Sequence, residues 1–456
     1  ALLCSLRFPW VQNYVTQQTV SYLAKELNTE ISIESLYVTP FSSIAIRKFS
    51  LLDRQGKRML YADRLEADIN LSKLLSNSIS ISALKLSDAQ VKLEIFNDST
   101  NFSFLNRYFN PETKDKNKKK NAMTLNLGKL VFSNNSIDLK DHRYSAKTKG
   151  VNFADLSISR FSATLDDIDY DSSSVKAHII KLTLKEKSGL LIHNLDAHAN
   201  INTQRMEFTD FALKTNRSHA GDYLLLEYNK FHDFTDFNNK VRISGDLRDA
   251  YIDSRDIEYF APALKSVNFK TAISHAAVAG TVANFKVRNA LLKTGQNTIL
   301  KGDFSVHGLP AIAQTEFTFD LEQLSSSAKD IETIVPQLAH KKSFILPAQL
   351  HQLGRLSYKG KLHGYYNNFN IDGIVSTDLG DVQTKSQLNF VNDIQYSGNI
   401  TSPKFDAGKL LENKVLGHSA FDLDFNGLGT SFDKLQLQVN GALKHATING
   451  YSYASI

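Results

Sequence analysis

Cysteine is almost missing from this chain: a lone Cys4 cannot close an internal disulfide, which excludes a disulfide-stapled scaffold. Proline and glycine are thin as well. With 8 prolines and 22 glycines in 456 residues, periodic segments are seldom broken by compulsory turns, and Asn, Ser and Asp supply the turns instead. The signatures of catalysis are also wanting. The 13 histidines are scattered, no His-Glu-x-x-His occurs, and His193 and His198 have the wrong spacing for two ligands on one helix face. No Gly-x-Ser-x-Gly elbow and no phosphate-binding glycine loop can be found. The expectation is a protein that is not an enzyme, with no catalytic residues, no metal and no cofactor.

What is present is ordinary globular material, 42% hydrophobic and 22% charged, long enough for two or three cores. The net charge of +6 is not spread evenly. Half of it sits in PETKDKNKKK, residues 111–120, part of a lysine-rich loop at 110–122. Nucleic-acid binding is not expected, because base-stacking aromatics interleaved with arginine are missing there. A solvated loop, or one that touches anionic headgroups, fits the composition. The densest carboxylate cluster, Asp166, Asp167, Asp169 and Asp171, reads as a solvated turn or strand edge rather than a metal site.

The opening ALLCSL is apolar but too short to span a bilayer, so residues 1–8 read as the end of a truncated membrane anchor, with a buried stub as the alternative. Arg7, Trp10 and Tyr14 suit the interface where such an anchor emerges. Residues 9–28 form an amphipathic helix, Pro9 in its first turn and Val11, Tyr14, Val15, Tyr22, Leu23 and Leu27 along one stripe. That stripe docks on the β domain or lies along a membrane surface.

From residue 29 to 456 the period changes to two. Val91, Leu93 and Ile95, Leu125 and Leu127, Leu182 and Leu184, and Phe317, Phe319 and Leu321 each alternate with other residues. Brief helical exceptions are expected at Ser254 to Tyr259 and at Ser327 to Val335, the latter stopped by Pro336 and opened by a capping box of Ser327 and Asp330. Gly360, Gly364, Gly373 and Gly380 punctuate the strands and turns near the C-terminal end. Residues 421 to 441 allow two readings. Asp422, Asp424, Asn426, Gly427 and Asp433 match a calcium-loop spacing, but neither flank is helical and Gly429 stands where a branched apolar residue belongs. The preferred reading is a hairpin, with Phe421, Leu423 and Phe425 on one strand and Leu435, Leu437 and Val439 on the next. Strands with so few helices leave stacked sandwiches, a closed barrel or a sheet that curls on itself.

LRFPWVQNYVTQQTVSYLAKELNTEISIESLYV, followed by FSLLDRQGKRMLYADRLEADINLSKLLSNSISISALKLSDAQVKLEI and then NFSFL, resembles the start of the TamB branch of the AsmA-like envelope proteins. AYIDSRDIEYFAPALKSVNFKTAISHAAVAGTVANFKV and YSGNITSPKFDAGKLLENKVLGHSAFDLDFNGLGTSF resemble the large periplasmic part of such proteins, so the likeness runs along nearly the whole chain. The resemblance implies a mainly β fold, an elongated curled sheet like a taco-shaped trough with an apolar interior, after one amphipathic N-terminal helix. It implies a periplasmic location in a Gram-negative envelope, with an inner-membrane anchor at the N-terminus. It further implies phospholipid carried between the two membranes, its acyl chains on a groove lined by the alternating apolar residues named above. The alternative role is a scaffold that offers sheet edges to outer-membrane proteins, beside a TamA-like or BamA-like barrel.

Overall fold

The computed structural model describes residues 8–38, 43–69, 78–105, 124–144, 149–171, 173–262, 265, 268–339, 343–365, 367–390, 394–429 and 436–454. The lysine-rich loop and residues 1–7 lie outside these. Two compact units divide the chain: Ala1–Asn216 with Asn229–Thr235, and Arg217–Tyr228 with Asp236–Ile456. Each is mainly β, a sheet that curls, and one long helix precedes the first strand.

In the first unit, α1 (Pro9–Leu27) leads into β1 (Ile31–Ser32), β2 (Ser35–Val38), β3 (Ser43–Leu52), β4 (Arg58–Ile69) and β5 (Ser78–Ile95). There follow β6 (Thr124–Asp141), β7 (Asp155–Tyr170), β8 (Ser174–Glu186), β9 (Leu191–Asn202) and β10 (Arg205–Thr215). The helix ends where Asn28 turns left-handed, with φ 51°, and donates its N–H to Ala24. β1 and β2 both pair with β3, and from there each strand pairs with the next. All these ladders are antiparallel except β5 against β6, which run parallel. A core of Leu27, Ile31, Leu51, Met59 and Phe104 seats the C-terminal end of α1.

The expected stripe on α1 needs correction. Leu27 is buried and Val11, Val15 and Leu23 are half-buried, but Tyr14 and Tyr22 are 62% and 59% exposed. Tertiary contact falls on Thr16, Val20, Leu23 and Leu27, a narrower arc than the one the sequence period picks out.

The second unit is a meander of β11 (His219–Glu227), β12 (Arg242–Asp253), β13 (Lys270–Gly280), β14 (Asn284–Thr294), β15 (Thr298–His307) and β16 (Glu316–Ser326). It continues through β17 (Leu356–Tyr365), β18 (Asn368–Thr377), β19 (Gly380–Asn389), β20 (Gln395–Asp406), β21 (Leu416–Leu428), β22 (Gln436–Ile448) and β23 (Tyr451–Ala454). Every neighbouring pair is antiparallel. Short helices α2 (Phe237–Lys240), α3 (Ser254–Ile257) and α5 (Ala407–Leu410) and the longer α4 (Ala328–Ala339) fill connections. α3 and α4 fall where the sequence places them, but α4 runs past Pro336 for most of a further turn, since one missing N–H there forfeits a single bond. Ser327 Oγ accepts from the Asp330 N–H as a cap does. The Asp330 carboxylate turns the other way and accepts from the Gln296 and Asn297 N–H groups and the Thr298 hydroxyl, pinning the β14–β15 turn.

The curl has a local cause. Asp88, Asn134, Arg160, Asp167 and Asp210 in the first unit, and Asp222, Asp249 and Asn289 in the second, sit inside strands with positive φ. Most coincide with register shifts, as between Phe132 and Asn135, Ser159 and Ser162, Thr209 and Ala212, and Val287 and Ala290. Such bulges bend a strand and raise its twist, and Asn and Asp are the side chains that tolerate the left-handed backbone best. The residue that follows often lies under the bend: Ala89, Asn135, Phe211, Ala250 and Ala290 are all buried. Asn135 restores bonds the bulge interrupts, accepting from the Ala89 N–H at 2.8 Å and donating to the Leu86 carbonyl at 3.2 Å.

Candidate functional site

Directly paired residues share a face of a sheet, so the registers can be followed as rows across the strands. In the first unit one row reads Leu36, Ile46, Leu65, Leu86, Phe132, Ala163, Leu182, Leu195, Leu213, from β2 to β10. In the second a row reads Leu224, Gly245, Val278, Val287, Phe304, Phe319, Leu362, Ile371, Ser386, Gly398, Phe425, Val439, from β11 to β22. A single hydroxyl, that of Ser386, interrupts the apolar and glycine positions of this second row. At about 4.8 Å per strand the two rows extend about 40 Å and about 50 Å.

The row displaced by one residue is polar. Asp303, Asp320, Lys361, Asp372, Lys385, Asn399 and Asp424 follow one another from β15 to β21, acids beside lysines for much of the way. Asn399 donates to Asp422 and to Asp424, both at 3.0 Å, and the first of these bonds, aided by Lys444, holds the Asp422 carboxyl below its ordinary pKa although burial opposes it. These acids are strand residues with protein partners, in line with the hairpin reading of the calcium-like stretch; Asp433 lies outside the described residues.

The predicted lining residues divide as follows. Phe317, Phe319, Leu321, Phe421, Leu423, Phe425, Leu437 and Val439 all fall on the apolar face of the second unit. Leu321 and Phe421 are fully buried, the latter in a cluster with Leu379 and Phe405. Phe317, Phe319, Leu423 and Phe425 are half-buried, while Leu437 and Val439 are 51% and 47% exposed. In the first unit Val91, Leu93, Ile95, Leu127, Leu182 and Leu184 are half-buried. Leu93 pairs with Leu139, and Leu184 with Ile192. Leu125 pairs with Ile79 through its backbone, its side chain lying outside the described residues, as does Leu435 altogether.

Burial is distributed unlike that of a closed core. Many of the buried apolar residues are alanines, among them Ala62, Ala89, Ala163, Ala197, Ala250, Ala276 and Ala290, and among the described residues the largest side chains under 2% exposure are Val241 and Thr315. In a closed core the Phe and Leu side chains would be the innermost ones. Leu51, Phe104, Phe211 and Leu321 are buried, but the Phe and Leu side chains of the two rows, Leu36 apart, stand half-covered, with Phe304 and Phe319 stacked at 5.5 Å and Tyr396 meeting Phe425 at 6.1 Å.

Features the sequence reading misses shape this face. Gly360 and Gly373, expected as punctuation, face each other inside β17 and β18, and a Cβ on Gly360 would come within 2.4 Å of the Asp372 carbonyl. The Tyr358 ring lies over the pair, its hydroxyl donating to the Lys361 and Asp372 carbonyls, and burial pushes its pKa up to about 12. Gly364 also lies within a strand, and Gly380 begins one. The sequence sign was an aromatic two residues before a mid-strand glycine.

The acidic cluster is strand for most of its length. Asp166 and Asp167 lie in β7 and, with His178 of β8, bring potential ligand atoms within 4.8 Å of one another. His178 is already engaged by Asp166 at 3.0 Å and Asp196 at 3.5 Å, and stacks on His198. Asp171 caps the following turn, and hydrogen bonds from the Ser173 hydroxyl and the Ser173 and Ser174 N–H groups lower its pKa to about 2.

Comparison of the chain with known protein families, characterised proteins and solved structures finds no match in any of the three.

Proposed function

We propose that the apolar rows bind lipid acyl chains and let them pass along the sheet, while headgroups stay at the wet rim. The observation that carries this is the pairing of continuous apolar rows with half-exposed Phe and Leu side chains. An apolar strip about 50 Å long and three residues wide has an outline on the order of 700 Å², part of it covered, and contiguous apolar surface on that scale marks a ligand groove or an interaction face. The resemblance to TamB-type envelope proteins supports the same reading, with the chain periplasmic, tethered to the inner membrane and passing phospholipid toward the outer one. No catalytic group enters this function; the work is desolvation and guidance.

A photo-crosslinking residue at Leu93, Phe425 or Leu437 is expected to capture phospholipid in cells, and the same probe at Lys92, Asp424 or Gln438 is not. Equal labelling of both faces, or of neither, overturns the proposal.

A further inference from the structure

The outer face of α1 is chemically odd for a helix that is docked on a sheet. Thr16, Val20, Leu23 and Leu27 lie on its inner side, within about 60° of arc at 100° per residue. Trp10, Tyr14 and Tyr22 lie on the opposite side and are 71%, 62% and 59% exposed, with Phe8 exposed at the entry to the helix. Between Phe8 and Ala24 there is no Asp, Glu, Lys or Arg; the positions between the aromatics are Gln, Asn, Thr, Ser and Val, and the exposed charges of the helix, Lys25 and Glu26, fall in its last turn. A docked surface helix ordinarily turns charges to water. A face of Trp and Tyr set among uncharged polar side chains has instead the composition of the headgroup zone of a bilayer, where an amphipathic ring keeps its apolar body in the acyl boundary and its polar end in water. No helix among the described residues is long and apolar enough to cross a membrane, so α1 serves such a zone lying flat.

We infer that α1 is a two-sided adaptor, its Leu23–Leu27 side seated on the first unit and its Trp10–Tyr14–Tyr22 side resting in the interface of a lipid bilayer. With no charge from Phe8 to Ala24, the attraction does not rest on anionic lipid. It also places the start of the sheet against the membrane surface, which is a separate matter from whether acyl chains travel along the apolar rows.

Trp10 is the only tryptophan, so its emission reads this face alone. With the full chain and neutral phosphatidylcholine vesicles, the expectation is a blue shift, quenching by lipids brominated near the headgroup end of the chain, and persistence of both at high salt. Tyr14→Glu with Tyr22→Glu changes exposed positions and leaves the β signal in circular dichroism intact; vesicle binding is expected to fall about tenfold or more. Emission that vesicles leave unmoved, binding that salt abolishes, or full binding by the double variant each overturns the inference. Crosslinking at Phe425 decides the acyl-chain proposal separately, so either can fail without the other.

Discussion

Asp141 and Asp253 show what a single side chain contributes at the strand ends. Each is buried, and each carboxylate takes the N–H and the guanidinium of the arginine two residues on, Arg143 and Arg255. Those arginine bonds hold both carboxyls below their ordinary pKa although burial opposes it. Asp330 is lowered too; burial works against its charge, and the Asn297 and Gln296 N–H groups with the Thr298 hydroxyl outweigh it. A carboxyl whose folded pKa is lowered stabilises the fold fully above its unfolded value of about 4 and loses that contribution as pH falls through the folded value. Asp253→Asn is therefore expected to cost about 1–3 kcal/mol at neutral pH in denaturant unfolding, with the difference from the parent shrinking below about pH 4. Glycines make a second residue-scale test. Gly56 has φ 77° with nothing near its missing Cβ, so Gly56→Ala costs about 1 kcal/mol of backbone strain, whereas Gly360→Val meets the facing strand and prevents the second unit from folding. Thermal melts of the two variants separate these outcomes.

At the scale of the strand, the bulges explain why alternation breaks. In β5, Leu84 and Leu86 are in one phase and Val91 and Leu93 in the other, and Asp88, at φ 51°, stands between them. In β6, Leu130 and Phe132 give way to Ile137 and Leu139 across Asn134. A residue with positive φ marks each shift, and β5 keeps its register with β4 and β6 across Asp88. The strands themselves were legible from their period of two. The bulges were legible only as phase changes at an Asp or Asn, a sign that a search for regular alternation discards. Asn289→Val puts a β-branched residue at φ 51° and is expected to destabilise the second unit by about 1–2 kcal/mol, while Asn289→Gly is close to neutral. Equal stability of the two variants in urea would show that the bulge is not held by backbone preference. The helix boundary at Leu27 was equally legible, but which side of α1 docks was not, because Leu23 and Tyr14 stand on opposite sides of the helix and both sides carry apolar or aromatic residues.

Over the whole molecule, exposure along the rows separates support from contact. Leu321 is 2% exposed and Val439 is 47% exposed on the same face. Leu321→Asp buries an unpaired charge and is expected to cost several kcal/mol or to leave insoluble protein; Val439→Asp leaves the charge in water, folds normally and lowers lipid capture. Folding yield and bound lipid measured together on the two variants test this. By itself the sequence determined that the chain is mainly β after one helix, and which residues of each strand are apolar, since both follow from a period of two that needs no partner to be seen. Only the tertiary structure decided that Phe319, Leu362 and Ile371 stand side by side, that Phe421 is buried while Leu437 is open, and that two facing glycines lie under Tyr358. Register, bend and cover are relations between one strand and another, and the periodicity within a strand carries no record of them.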